Sequence, residues 1–445
     1  MTGGELARKA VHVAIGGIAF AVRPLGLVAS LAAALLAVLH NAFLLPRYGG
    51  KRLWRAAESA GGFSLGIVLY PITVLLLLAI YARRLEVATA VWGLLAFGDG
   101  MAGIAGPLLG RSNPLPWNRG KSWAGSLAYF LCGGAAAYAL LLWTAPGRYP
   151  PAFALAVAAV AAGFAAALES LPQGLDDNLG VPLVTSVLLF CLTLTVDRWS
   201  ALPASDLLAR LAIGGPVNLA LALAAWALGG VGLGGAVTGV LLGTVIWTFA
   251  GWGAFALLFA FFFLGTLATK LGYARKAGAG IAQERGGRRG PGNALAKVSV
   301  PALAALFAAT TPYPELFLVA LAGAFATAAS DTVSSEIGKA FGRRTFLITT
   351  LAPVPRGTDG AVSLEGTLAG LAAGLLVGAL GAAVGLYPVS WVAIVGAAAL
   401  VATTLESLVG ATLERRGLLD NEAVNFLNSL AGALLAAGGG VLLAS

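Results

Sequence analysis

The chain reads as a series of apolar runs, each about 20 residues long, separated by short Gly, Pro and Arg punctuation. A bilayer core about 30 Å thick demands that length of a spanning helix. Helices are predicted at 10–22, 25–45, 62–82, 86–106, 123–143, 152–171 and 181–197, then at 208–229, 233–250, 252–270, 297–311, 315–338, 363–386, 388–412 and 424–443. The predicted fold class is all-α, a polytopic transmembrane helical bundle of about 15 spans. Segments 10–22 and 297–311 are short for a crossing and suit re-entrant helices, whose backbone must be satisfied by protein or a water-filled cavity.

Composition agrees with that pattern. Of 445 residues, 59% are in the AVILMFWYC set and 11% are charged, against about a quarter charged in soluble domains. The net charge of +9 does not point to nucleic acid, because the basic residues sit between apolar runs instead of forming a solvated face. Cys132 and Cys191 lie within apolar stretches and read as buried or lipid-facing thiols. Glu5, Arg8 and Lys9 lead into the first run without a cleavage site, so that run reads as a retained helix. With the amino terminus inside, most of the 28 Lys and Arg residues fall in inner segments, and Arg23, Arg83, Arg84, Arg148, Arg198 and Arg210 are left outside. Cytoplasmic loops carry such an excess, which places the amino terminus and the polar loops on the cytoplasmic side of a prokaryotic cytoplasmic membrane.

Most of the polar residues that lipid should exclude fall into two sets that align. Gly98-Asp99-Gly100-Met101-Ala102-Gly103-Ile104-Ala105-Gly106 runs on to Gly110-Arg111, and Ser330-Asp331-Thr332-Val333-Ser334-Ser335-Glu336-Ile337-Gly338 runs on to Gly342-Arg343, without a gap. On a helix the Asp and the small residues share one face. Downstream, Arg119-Gly120-Lys121-Ser122 leads to Gly125-Ser126-Leu127-Ala128, and Arg356-Gly357-Thr358-Asp359 leads to Gly366-Thr367-Leu368-Ala369 after four extra residues. Glu169-Ser170 then precedes Asp176-Asp177-Asn178, as Glu406-Ser407 precedes Asp420-Asn421. Three motifs in one order, twice, predict duplication of a bundle. Asp99 falls on the fourth span and Asp331 on the twelfth, so the two repeats are expected to share one orientation, unlike inverted transporter repeats.

A carboxylate near the cytoplasmic end of a membrane helix is costly unless it pairs or binds a cation, so Asp99, Glu169, Asp331 and Glu406 stand out as functional candidates. The alternative is a structural polar contact between helices. The loop after each Asp helix offers glycines, whose backbone N–H groups approach phosphates closely, and cations: Arg119 and Lys121, or Arg343, Arg344 and Arg356. Carboxylates beside such loops suggest a divalent metal bridging nucleotide phosphates, the parts needed for phosphoryl transfer. Neither loop matches the Walker pattern. Arg8 and His12 share a helix face at i, i+4 and, with Lys9, read either as a surface anchor or as headgroup ligands.

Residues 1–200 resemble the phytol kinase and dolichol kinase family of CTP-dependent polyprenol kinases. The match lies in Arg8-Lys9-x-x-His12, Gly98-Asp99-Gly100 with Gly106 and Gly110, Asn118-Arg119-Gly120-Lys121-Ser122-Trp123-Ala124-Gly125-Ser126, and Glu169 with Asp177-Asn178-Leu179. Lys121-Ser122-Trp123-Ala124-Gly125 favours the phytol kinase branch; Ala124 stands where the dolichol branch usually has Glu, so a metal role there is lost. Residues 205–445 resemble the TMEM-type DUF92 membrane proteins that include plant phytyl-phosphate kinase. Here the match lies in 265–272, 285–293, 330–338, 355–363 and 419–425.

These resemblances imply CTP as donor, Mg2+ as metal and two successive steps, prenyl alcohol to monophosphate in the first half and monophosphate to diphosphate in the second, in isoprenoid salvage. They assign Asp99, Asp177, Asp331 and Asp420 to catalysis, and Asp99, Glu169, Asp331, Glu336 and Glu406 to metal. Nucleotide and phosphate fall to Gly106, Gly110, Arg119, Lys121, Ser122 and Gly125, and to Arg288, Arg289, Asn293, Gly338, Gly342, Arg356, Gly357, Thr358 and Gly366. The substrate headgroup falls to Arg8, Lys9, His12, Asn178, Asn421 and Asn425. The expected partners are the prenyl alcohol, its monophosphate and the lipid bilayer, with no obligatory protein partner. A prenyl alcohol needs a base, whereas a monophosphate already carries roughly 1.5 to 2 negative charges and needs shielding from the nucleotide. The second half is correspondingly richer in basic residues in its inner loops. A transporter shares duplication and Gly-broken helices, but its charges would sit at midspan. A phosphatidate cytidylyltransferase-like enzyme shares the Gly-Asp helix but has an acidic carboxy-terminal signature that this chain lacks.

Overall fold

Runs this apolar, with charges confined to their ends, form helices because every backbone N–H and C=O is then satisfied within the segment. The computed structural model describes residues 3–48, 65–110, 113–172, 174, 176–198, 202, 204–283 and 288–444. The side chain of Arg8, and Arg111 and Arg285 altogether, lie outside the described residues. The chain divides into two compact units, Met1–Val196 and Asp197–Ser445.

The first unit holds α1 (Gly3–Gly16), α2 (Val22–Leu39), α3 (Leu65–Ile80), α4 (Leu85–Gly93), α5 (Gly100–Leu109), α6 (Trp123–Ala128), α7 (Gly134–Thr144), α8 (Pro151–Ser170) and α9 (Gly180–Thr193). Wide π-helical turns, Leu94–Asp99 and Tyr129–Gly133, join α4 to α5 and α6 to α7. The second unit holds α10 (Ala204–Ala227), α11 (Leu233–Lys270), α12 (Tyr273–Gly278), α13 (Pro291–Thr310), α14 (Pro314–Phe341), α15 (Leu364–Ala383), α16 (Val392–Val409) and α17 (Asn421–Ala444). One antiparallel pair, β1 (Phe346–Leu347) and β2 (Ala361–Val362), registers Phe346 opposite Val362.

The protein is an integral membrane helical bundle. Among the described residues eleven helical stretches are long and apolar enough to cross a membrane. Two of these stretches, Lys9–Leu44 and Leu233–Lys270, each contain two of the predicted helices, which meet across a kink at a single glycine; at Gly251 the chain turns back, so that Trp247 packs on Phe255 with ring centroids 5.2 Å apart. Gly26 (φ 76°, ψ 173°) and Gly251 (φ 78°, ψ −176°) occupy backbone conformations that a Cβ disfavours, so the bend needs no loop. Two further apolar helices are described over shorter stretches, Gly180–Thr193 and Gly66–Ile80, the predicted start of the latter at 62 lying outside the described residues. The segment predicted at 297–311 starts earlier, at Pro291, and is a full 20 residues long.

The helices carrying the repeated aspartates are the most enclosed spans of their units. In both Leu85–Leu109 and Pro314–Phe341, 72% of the most apolar window is buried, against 11–56% in the other spans. In the second unit α14 packs on α11, α13, α15, α16 and α17, through an alanine-rich core from Ala320 to Ala329. Small side chains let helix backbones approach closely, which substitutes for the hydrophobic drive that lipid removes.

Candidate active sites

Each unit builds a crossing of the same kind around its aspartate helix. In the first, Gly125 of α6 lies over α5, where a Cβ would sit 3.4 Å from both the Ala102 carbonyl oxygen and Gly106 Cα. In the second, a Cβ on Gly366 of α15 would lie 2.6 Å from the Ser334 carbonyl oxygen and 3.3 Å from Gly338 Cα. Ala102 and Ser334 each stand three residues after the aspartate, and Gly106 and Gly338 seven after it. Ser122 caps α6, its Oγ accepting from Gly125 N at 3.2 Å, and Ser363 caps α15, its Oγ accepting from Gly366 N at 3.1 Å. The structural counterpart of Ser122 is therefore Ser363 and not Asp359, which the sequence alignment places opposite it; the four extra residues fall in the loop before the cap.

This geometry corrects the role of several glycines. The N–H groups of Gly125 and Gly366 are committed to the capping serines, and those of Gly110 and Gly342 to the carbonyls of Gly106 and Gly338, at 2.9 and 3.0 Å. They do not form a phosphate cradle. Gly106, Gly110, Gly338 and Gly342 instead leave room for the serine, since a Cβ on Gly342 would lie 3.0 Å from Ser363 Oγ.

In the first unit Lys9 crosses over Gly103 and pairs with Asp99, Nζ to Oδ2 at 2.8 Å. His12 Nε2 donates to the Leu95 carbonyl at 3.0 Å and lies 3.5 Å from Asp99 Oδ2, its ring edge-on to Tyr70. The loop before α6 is tied to the end of α8 by Trp117 Nε1 donating to Ser170 Oγ (3.2 Å) and Asn118 Nδ2 donating to the Ser170 carbonyl (3.1 Å). That tether delivers Lys121 between Glu169, with which it pairs, and Asp177 Oδ2 at 3.0 Å. Burial alone would lower the Lys121 pKa, but the two carboxylates outweigh it and hold it above the ordinary lysine value. Burial raises the Asp177 carboxyl, and Lys121 offsets only part of the rise. Arg119 is exposed at the turn. Asn178 is not a free headgroup ligand, since its Nδ2 donates to Asp176 Oδ1 at 2.6 Å, although its own Oδ1 is buried with no partner among the described residues.

In the second unit the aspartate faces a cavity of about 400 Å³. It gathers Asp331, Glu336, Glu406, Arg289, Asn293, Gly338, Gly357, Thr358, Gly366, Asn421 and Asn425 from distant parts of the sequence. Lys297 of α13 pairs with Asp331 (Nζ to Oδ2, 2.7 Å) and donates to Thr332 Oγ1 at 2.8 Å. Lys276 of α12, fully buried, pairs with Glu336 and donates to the Thr269 carbonyl at 2.8 Å. Burial pushes the Arg289 guanidinium down to about 10, against the pull of Glu336 and Asp331, so it stays charged at neutral pH.

Four assigned residues do not line this cavity. Asp420 caps α17, its Oδ1 accepting from Ala423 N at 2.8 Å. Arg288 lies beside Gly229, and Gly342 and Arg356 are outside the lining. Conversely Asp359 and Glu414 line the cavity without having been singled out as site residues, and Lys297 and Lys339, expected only as part of the basic surroundings of the second half's site, line it as well. Lys297 has a signal: it is a charge at the first residue of a predicted span, as Lys9 stands directly before one. No three His, Cys, Asp or Glu side chains converge as a ready-made metal centre among the described residues, and Asp99, Glu169, Asp331 and Glu336 are each paired with a lysine.

The profile of the family described as integral membrane protein DUF92 matches residues 216–433. The chain is 45% identical over 201 residues to an uncharacterized membrane protein of Synechocystis sp., covering 44% of this chain and 78% of that one. It is 37% identical over 214 residues to the chloroplastic protein VTE6 of Arabidopsis thaliana, covering 46% of this chain and 64% of that one. It is 31% identical over 196 residues to a probable chloroplastic phytol kinase 2 of Glycine max, covering 42% of this chain and 65% of that one. No solved structure matches the chain.

Proposed function

The chain belongs to the DUF92 family of integral membrane proteins, and from that premise we propose that it is a bifunctional prenol kinase. Its first unit phosphorylates a prenyl alcohol of the phytol or geranylgeraniol type, its second converts the monophosphate to the diphosphate, and CTP is the donor. The observation that carries this reading is the second unit's cavity, where lysine-paired carboxylates, Arg289 and Lys339 share one polar space inside a membrane bundle. Similarity to proteins named probable phytol kinases supports the substrate class.

In each step an acceptor oxygen bonds to the terminal phosphorus of the nucleotide as the bond from that phosphorus to the bridging oxygen breaks and the nucleoside diphosphate leaves. In the first unit Asp177, paired with Lys121 but the more exposed of the two aspartates, takes the alcohol proton, its raised pKa favouring that role, while Asp99 is more enclosed and held by both Lys9 and His12. In the second unit the acceptor phosphate needs no base, and Arg289 and Lys339 shield its charge. The donor set fits magnesium entering with its nucleotide, because Mg2+ is usually held by one or two carboxylates plus phosphates, and Asp331 and Glu406 line one cavity. When bound, the ion supplies neutralisation of phosphate charge. Handing the monophosphate between two sites on one chain keeps its local concentration high.

The test is transfer of label from γ-labelled CTP, with ATP in parallel, to phytol, geranylgeraniol and their monophosphates by purified protein. Asp99→Ala should lose alcohol phosphorylation, and Asp331→Ala should make monophosphate but no diphosphate. No labelled lipid from any acceptor would remove the kinase reading and leave a transporter to be tested.

A further inference from the structure

We propose that a slot on α11, formed by Phe261, Phe262 and Gly265, aims Arg289 as the side chain that selects a phosphate-bearing acceptor over the free alcohol. The inference deepens the kinase reading by assigning the acceptor headgroup of the second unit, and it rests on that reading only for the identity of the lipid.

The Arg289 guanidinium lies over the Phe261 and Phe262 rings, with Cζ 5.3 and 5.9 Å from their centroids. Both distances fall within reach of a cation–π attraction. One turn along the same helix, Gly265 gives way to it: a Cβ there would overlap the guanidinium, its distance to Cζ being 3.2 Å. The backbone is pinned as well, since Arg289 N donates to the Gly230 carbonyl at 3.2 Å and the Arg289 carbonyl accepts from Gly232 N at 3.1 Å. The residue is thus held from two sides while its head lines the cavity.

What it is held for follows from its partners. Among the described residues no carboxylate is within ion-pairing distance of Arg289, while the acids whose charge acts on it, Glu336 and Asp331, are taken by Lys276 and Lys297. A charged, planar fork with five donors, aimed into a polar cavity and left without an anion, matches a phosphate monoester. Arg288, its neighbour in sequence, lies beside Gly229 and does not line the cavity. A purely structural arginine would be expected to spend its donors within the fold.

The slot makes Gly265 a positioning residue, and a thermodynamic cycle separates that from simple packing. The measurement is equilibrium binding of geranylgeranyl monophosphate and of geranylgeraniol to the full chain in nanodiscs, for wild type, Arg289→Gln, Gly265→Ala and the double variant. Arg289→Gln should weaken monophosphate binding about tenfold to a hundredfold, the size of a lost charged hydrogen bond, and leave alcohol binding within about twofold. Gly265→Ala should do the same, and the double variant should be no weaker than Arg289→Gln alone, because the added methyl then has no guanidinium to displace. Additive losses, or equal losses for alcohol and monophosphate, would overturn the proposal. Should Gly265→Ala fail to fold, Phe262→Leu reads the same cycle. A monophosphate preference that depends on Arg289 in a protein that transfers no phosphoryl group would uphold this inference while removing the kinase reading.

Discussion

The Lys297 ammonium lies 2.7 Å from Asp331 Oδ2 between two helices, with 7% and 11% of the two side chains exposed. Removing one partner strands a buried charge, at a typical cost of 3–5 kcal/mol, whereas replacing both by apolar groups is often neutral. Lys297→Met should therefore lower the melting temperature in detergent sharply. Lys297→Met with Asp331→Leu should restore most of it and still make no diphosphate. If the double variant melts as low as the single one, the pair is not a self-contained ion pair.

Gly110 and Ser122 test the crossing in the first unit. A Cβ on Gly110 would come within 2.5 Å of Ser122 Cβ and closer still to its Oγ. Gly110→Ala should cost about 1–3 kcal/mol by overpacking, and adding Ser122→Gly should recover part of that despite losing a cap. Thermal unfolding of the two single variants and the double would show the non-additivity.

Asp420 separates capping from catalysis. Asp420→Ala should destabilise by about 0.5–2 kcal/mol, the usual worth of an N-cap, while Asp420→Asn, which also caps, should not. A loss of turnover shared by both variants, with stability kept in the Asn form, would return Asp420 to the catalytic set.

The pH dependence of the first step follows from Asp177 and Lys121. Asp177 must be ionised to accept a proton, and its pKa is raised above the ordinary 3.8. The acidic limb of the rate profile should therefore lie above that value, and Asp177→Asn should remove the limb with a loss of about 10²–10⁴-fold. Lys121 has its folded pKa raised above 10.5 by Glu169 and Asp177 despite burial. Its stabilising contribution is thus fully present below about 10.5 and is lost as pH rises through the higher folded value. Alkaline melting curves of wild type and Lys121→Met should converge above that range.

What was legible in the sequence was whatever repeats or excludes lipid. The apolar runs identify nearly every helix, and the aligned offsets after Asp99 and Asp331 identify the residues that make the two crossings. The breaks at Gly26 and Gly251 fall within a few residues of boundaries between predicted helices, although no polar loop marks them. The cap at Ser363 was missed because Arg356-Gly357 resembles Arg119-Gly120, although Ser-x-x-Gly directly precedes Thr367-Leu368-Ala369 as it precedes Ser126-Leu127-Ala128. Lysine partners lie 90 residues from Asp99 and 34 from Asp331, and no spacing rule connects such pairs without a fold. Arg288 and Arg289 are alike as neighbouring charges, and only the position of Phe261, Phe262 and Gly265 tells them apart.

The glycine bends also bear on how deep each unit rides in lipid. Near Gly26, Arg23 lies over the Trp143 ring at 4.9 Å and donates to the Trp143 carbonyl at 3.0 Å. At Gly251, exposed Trp252 adjoins the bend, and a Cβ on the glycine would lie 3.9 Å from Arg210 Nη1. Tryptophan and arginine favour the headgroup layer. Each bend is thus a draught mark: a bilayer that thickens or thins must move an indole and a guanidinium off their preferred level, and it has no loop there to take up the slack.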